Sequence, residues 1–151
     1  MSTALELVYR YRQLAGKCDV CGLSMDEILL MDTIESLFRE GGQHLRKFAR
    51  ERVDIDATLR GRKHVDRIKI SDLAPGGMEC VRAPYYETGD EVEVVIADEE
   101  CSLSYRFKAV VTWLREEHDT DDFRLGMKFV GAPVLLSYSS SRDEAVEAEA
   151  A

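Results

Sequence analysis

The sequence predicts a mainly β domain preceded by two α-helices. Three observations carry this. A capped, helix-period pattern occupies the first forty residues. Near residue 50 the apolar period changes from helical to two. From there on, turn-forming clusters recur between short alternating runs.

The first helix is read from TALELVYRYRQLAG, where Leu5, Val8, Tyr9 and Leu14 recur at helical spacing and Gly16 offers a stop. The second has a clearer start. In SMDE, Ser24 and Glu27 have the spacing of a capping box, in which hydroxyl and carboxylate satisfy free N–H groups of the first turn. Leu30, Met31, Ile34, Leu37 and Phe38 follow as its expected apolar side, and Gly41 and Gly42 end it.

In VDIDATL, Val53, Ile55, Ala57 and Leu59 point one way and the polar residues the other, which is a half-buried strand. RIKIS sets Ile68 and Ile70 on one face, and MECVR is a further short strand. EVEVVIA alternates Val92, Val94 and Ile96 with charges. LSYRFKAVVTW lines up Leu103, Tyr105, Phe107, Ala109, Val111 and Trp113, placing Trp113 in the expected core. FRLGMKFVG and PVLLSY complete the set, and RGRK, APGG, ETGD, ADEE and EEHDTDD supply the turns. Six or seven short antiparallel strands at this spacing describe a small barrel or sandwich.

A chain of 151 residues has room for one domain with a proper core. A net charge of −9 argues against general nucleic-acid binding, which needs a basic footprint. No apolar run approaches the roughly 18 residues of a membrane span, and the first residues lack a signal-peptide core. The expected setting is therefore cytoplasmic, with the four cysteines reduced. Cys18 and Cys21 form one C-x-x-C without the further ligands that zinc would need, so no metal site is predicted. His44, His64 and His118 lack a partner pattern and belong on the surface, and EEHDTDD reads as a solvated hairpin loop. No nucleophile elbow, P-loop or HExxH pattern points to catalysis. The expected organisation is a helical extension over 1–42, a barrel over 43–138 and an acidic tail over 139–151 that buries no core.

Against this acidic background, positive charge gathers where the first strand begins. Arg46, Lys47, Arg50, Arg52, Arg60, Arg62, Lys63, Arg67 and Lys69 fall within one short span. Arg46 and Arg50 lie four apart in RKFAR, and downstream stands DLAPGG, from Asp72 to Gly77. RKFAR resembles the R-x-x-x-R motif of the PilZ domain family, and DLAPGG resembles its [D/N]-x-S-x-x-G motif. GDEVEV, the strand ending in VVTW, and RLGMKFVG fit the same pattern. The resemblance spans roughly residues 45 to 132.

It implies a six-stranded antiparallel β-barrel that receives cyclic di-GMP. No other ligand or cofactor is implied. Arginine offers a planar fork for phosphate or for the O6/N7 edge of guanine, and a flat face to stack on a base. By resemblance, Arg46 and Arg50 take that role, and Asp72 accepts from guanine N–H groups. Gly76 and Gly77 let the backbone approach the ligand. Ala74 stands where the family has serine, so one hydroxyl contact is absent, worth about 0.5–1.5 kcal/mol. The resemblance thus implies a stand-alone receptor, monomer or homodimer, that relays the signal to a partner protein in motility, polarity or exopolysaccharide control. Ligand would draw Arg46 and Arg50 onto the barrel and shift the N-terminal helices. The alternative is a degenerate adaptor of the same fold that works by protein–protein contact without the nucleotide.

Overall fold

The computed structural model describes residues 3–39, 51–98, 102–118 and 120–137. Two helices, α1 (Thr3–Cys21) and α2 (Met25–Arg39), precede seven strands. These are β1 (Glu51–Arg60), β2 (Val65–Ala74), β3 (Gly77–Ala83), β4 (Glu91–Asp98), β5 (Leu103–Glu116), β6 (Phe123–Phe129) and β7 (Val134–Ser137).

All pairings are antiparallel. The strand order is β4-β1-β2-β3-β6-β5-β7, and a β4–β5 pairing closes six strands into a barrel. Closure removes free sheet edges. β7 adds along the start of β5, from Leu103 to Arg106. The inward positions are those the alternation marks: Leu59, Ile70, Val94, Ile96, Phe107, Val111 and Leu125 are fully buried. Phe107 and Phe129 stack at 4.9 Å between ring centres.

α1 lies against the barrel. Leu5 and Val8 are fully buried, and Tyr9 meets Tyr105 and Phe107 edge-on at 5.3 and 6.4 Å. Gly16 does not end the helix, contrary to expectation. A side chain there would come within 2.6 Å of Ala132 Cβ, so the glycine permits α1 to approach the segment after β6. Arg12 Nη2 donates to Gly131 O at 3.0 Å across the same contact. The helix runs on to Cys21, and Gly22, at φ 79°, turns the chain in the left-handed region that glycine tolerates.

α2 begins as its sequence predicts. Ser24 N donates to Glu27 Oε1 at 2.9 Å, and Glu27 N donates to Ser24 Oγ at 3.2 Å. It packs on α1 through Ile34 and Phe38, with Met31 partly buried, and Tyr11 Oη donates to Glu35 Oε2 at 3.1 Å. Lys17 Nζ and Glu27 Oε2 pair at 2.6 Å. Leu30 and Leu37, expected on the packed side, are exposed instead, because the seam against α1 runs through positions 27, 31, 34 and 38.

No helix among the described residues is long and apolar enough to cross a membrane. Cys80 is buried, and burial pushes its thiol up to about 12. Cys18 and Cys21 are exposed on the last turn of α1, while Cys101 lies outside the described residues. His64 and His118 are exposed, as expected, and His64 contacts Asp66. His44 also lies outside the described residues.

Candidate functional site on the outer barrel face

In an antiparallel sheet, residues directly opposite one another share a face. Arg52 on β1 pairs with Asp72 on β2, and Asp72 pairs with Glu79 on β3. Glu79 in turn pairs with Gly126 on β6, and Gly126 with Trp113 on β5. One row therefore crosses five strands. Its neighbours along the strands, Leu73, Met78, Cys80, Leu125 and Met127, fill the interior, so the row faces outward.

Bulges put these residues there. The register shifts between Arg52 and Ile55, between Ile70 and Asp72, and between Val111 and Trp113. An extra residue resets the in–out alternation, so that residues on either side of it no longer follow one parity. Ser71 is the extra residue in β2. It turns Asp72 outward and Leu73 inward, and its hydroxyl donates to Glu79 O at 3.2 Å. Thr112 is the extra residue in β5, and its Oγ1 donates to Gly126 O at 3.1 Å. Trp113 is consequently not a core residue, as strict alternation predicts, but lies on the outer face over Gly126. A side chain on Gly126 would come within 2.0 Å of the indole Nε1.

Charge is arranged around this ring. Arg124 Nη1 donates to Glu79 Oε1 at 2.6 Å, and Glu79 itself is buried. That hydrogen bond chiefly raises the Arg124 pKa above its ordinary value. The Glu79, Glu117 and Asp72 charges add to the effect, and burial opposes it. Arg115 pairs with Arg124 in the β5–β6 register, and its guanidinium lies 5.4 Å from the Trp113 ring centre. The face therefore offers three arginines, two carboxylates and an indole, the kinds of group that bind phosphates and planar bases.

DLAPGG closes the β2–β3 hairpin. Ala74 pairs with Gly77, with Pro75 and Gly76 between them. Pro75 is fully buried and Ala74 nearly so. Gly76 O accepts from Phe129 N at 2.9 Å. A Cβ on Gly77 would lie 2.1 Å from Met127 O, so this glycine is required by the approach of β3 to β6 whatever else the loop does. Arg46 and Arg50 lie outside the described residues. In the chain, Arg50 stands two residues before Arg52, the arginine in register with Asp72.

Arg52, Glu79, Arg115, Arg124 and the outward Trp113 were not among the site residues read from the sequence. Their common signal is strand register, which becomes readable only once the bulges are placed. A separate concavity of about 600 Å³ lies at the Arg60–Val65 turn, between Arg62, Lys63, His64, Tyr85 and Tyr86, and includes no sequence-predicted site residue. Among the described residues, no group of three or more His, Cys, Asp or Glu is placed to hold a metal ion.

The chain is similar to the Bacillus subtilis inhibitor of motility, MotI/DgrA, at 16% identity and a TM-score of 0.48, over 69% of this chain and 48% of that one. It is also similar to the Borreliella burgdorferi PlzA protein, whose structure is a complex with c-di-GMP. There the identity is 16% and the TM-score 0.42, over 72% of this chain and 43% of that one. The chain thus spans less than half the length of either. No curated protein sequence matches it. The PilZ domain family model matches residues 44–135, which covers the barrel from before β1 into β7, and the chain belongs to the PilZ domain family.

Proposed function

We propose that this protein is a cyclic di-GMP receptor that passes the signal to a partner protein and carries out no chemistry of its own. The observation that carries the reading is the Arg52–Asp72 register. It sets the aspartate of the DLAPGG motif on the outer face opposite Arg52, which stands two residues along the chain from the R-x-x-x-R motif.

A doubly anionic ligand with two guanines needs cations for its phosphates, a carboxylate for guanine N–H groups and flat surfaces for its bases. Arg46 and Arg50 supply the first by family resemblance, and Asp72 the second. The outer face adds Arg124 and Trp113. Binding favours whichever arrangement of the segment before β1 places Arg46 and Arg50 on the barrel. The shift passed on is limited by the ligand's preference for that arrangement. Membership of the PilZ domain family supports the reading.

Ala74 favours a second reading, in which the protein is a PilZ adaptor that has lost the nucleotide. The family hydroxyl is absent, and Ala74 is nearly buried in the hairpin. Calorimetric titration with cyclic di-GMP, with melting curves alongside, separates the two. A receptor gives binding heat and a higher melting temperature, since ligand at a hundredfold excess over Kd adds about 2.7 kcal/mol. Absence of both at about a hundred micromolar ligand, well above the micromolar Kd typical of an 8 kcal/mol interaction, establishes the adaptor.

A further inference from the structure

α2 carries one packed apolar seam and, beside it, an exposed mixed seam with the same spacing. One runs through positions 27, 31, 34 and 38 and is packed on α1. The other runs through Asp26, Leu30, Thr33 and Leu37, one residue earlier and therefore about 100° around the helix. Leu30 and Leu37 on this outer seam are 39% and 50% exposed, and Leu29 beside it is 56% exposed. Val20 and Met25, at the turn between the helices, are 86% and 70% exposed. Single exposed aliphatics are ordinary, but leucines repeating at helical spacing on an uncovered face form a patch of the kind that receives another element.

Among the described side chains, the rim of this patch is acidic. Asp26 lies within the seam, Asp32 stands beside Leu29, and Asp19 is exposed at the helical turn. Among the described side chains of residues 17–39 the single base is Lys17, and Glu27 holds it at 2.6 Å.

We propose that the outer seam of α2 is the docking surface for a basic amphipathic helix of a partner protein. Leu30 and Leu37, seven residues apart, with Leu29 beside them, accept the ridge of a second helix. Asp26 and Asp32 select cationic residues flanking that ridge. A second copy would bring the same acidic rim against itself, in a chain of net charge −9, and an anionic lipid surface would be repelled in the same way. This names the partner side of the proposed relay and rests on that reading for its place in signalling. The surface belongs to the helices and does not require the nucleotide.

The test titrates the full chain with a synthetic Leu/Lys amphipathic peptide of about 14 residues, long enough to hold a helix on a surface, and with its Leu/Glu counterpart. The Lys peptide binds and the Glu peptide does not. Leu30→Glu with Leu37→Glu lowers affinity at least about tenfold with the melting temperature unchanged. If that variant fails to fold, Leu37→Ser gives the same comparison. Asp26→Lys with Asp32→Lys reverses the peptide preference. Equal binding of both peptides, or undiminished Lys-peptide binding by the leucine variants, overturns the proposal. So does sedimentation that shows the parent self-associating through α2, with Leu37→Glu dissolving the dimer. Cyclic di-GMP affinity, measured on the same samples, tells failure of the receptor reading from failure of the docking surface.

Discussion

Glu79 and Arg124 meet at 2.6 Å on the outer barrel face, and Glu79 stands directly across the β2–β3 ladder from Asp72. A buried carboxylate held by a half-exposed guanidinium thus adjoins the aspartate expected to read guanine. Arg124→Ala removes that guanidinium from a buried charge, and the expected loss of stability is about 1–2 kcal/mol, since part of the contact is screened by solvent. Urea unfolding measures it. Stability equal to the parent's would show that the pair contributes nothing.

Arg50→Ala and Arg46→Ala are each expected to abolish detectable cyclic di-GMP binding while leaving the barrel folded. A charge-assisted arginine contact is worth about 1.5–3 kcal/mol, and no family serine is present to compensate. Each variant needs one melting curve and one titration. A folded Arg50→Ala protein that binds like the parent would place the ligand elsewhere. Asp72→Ala should also weaken binding, but its place in the β2 bulge makes it the less clean probe.

Ala74→Ser should tighten binding by a few-fold to about tenfold, the equivalent of one neutral hydrogen bond. The residue is nearly buried, so the new hydroxyl must find a partner in the ligand or the loop. Unchanged or weaker affinity would mean that Pro75 and its burial hold the hairpin away from the position at which the family serine acts.

Trp113 is the one tryptophan of the chain, which makes it a reporter. Gly126→Ala puts a methyl group 2.0 Å from Nε1, so the ring must move. The expected result is a shifted emission maximum and a loss of about 1–3 kcal/mol, typical of overpacking. If neither the emission nor the melting temperature changes, the indole does not cover Gly126.

Alkali should destabilise the fold through Cys80. The buried thiol titrates at about 12 in the folded protein, against 9.0 for an unperturbed thiol. Above pH 9 the unfolded chain gives up this proton first, so stability falls between pH 9 and 12, by on the order of a few kcal/mol. Below pH 9 the thiol is protonated in both states and adds no pH dependence. Melting temperatures across that range should fall more steeply for the parent than for Cys80→Ala. Parallel curves would assign the loss to other groups.

The strands, the capping box and the family motifs were legible in the sequence because each is a local pattern. Val92, Val94 and Ile96 alternate with charges, and Ser24 and Glu27 stand three apart. RKFAR and DLAPGG carry their spacing in the chain itself. Tertiary structure decided what depends on contacts between distant residues. Gly16 reads as a helix stop until Ala132 is brought against it. Leu30, Leu37 and Phe38 read as one apolar side until α1 selects the seam that it buries. Trp113 reads as core because a bulge is an event between two strands. The extra residue at Thr112 exists only relative to β6, and it turns the indole from the barrel interior onto the face that Asp72 occupies.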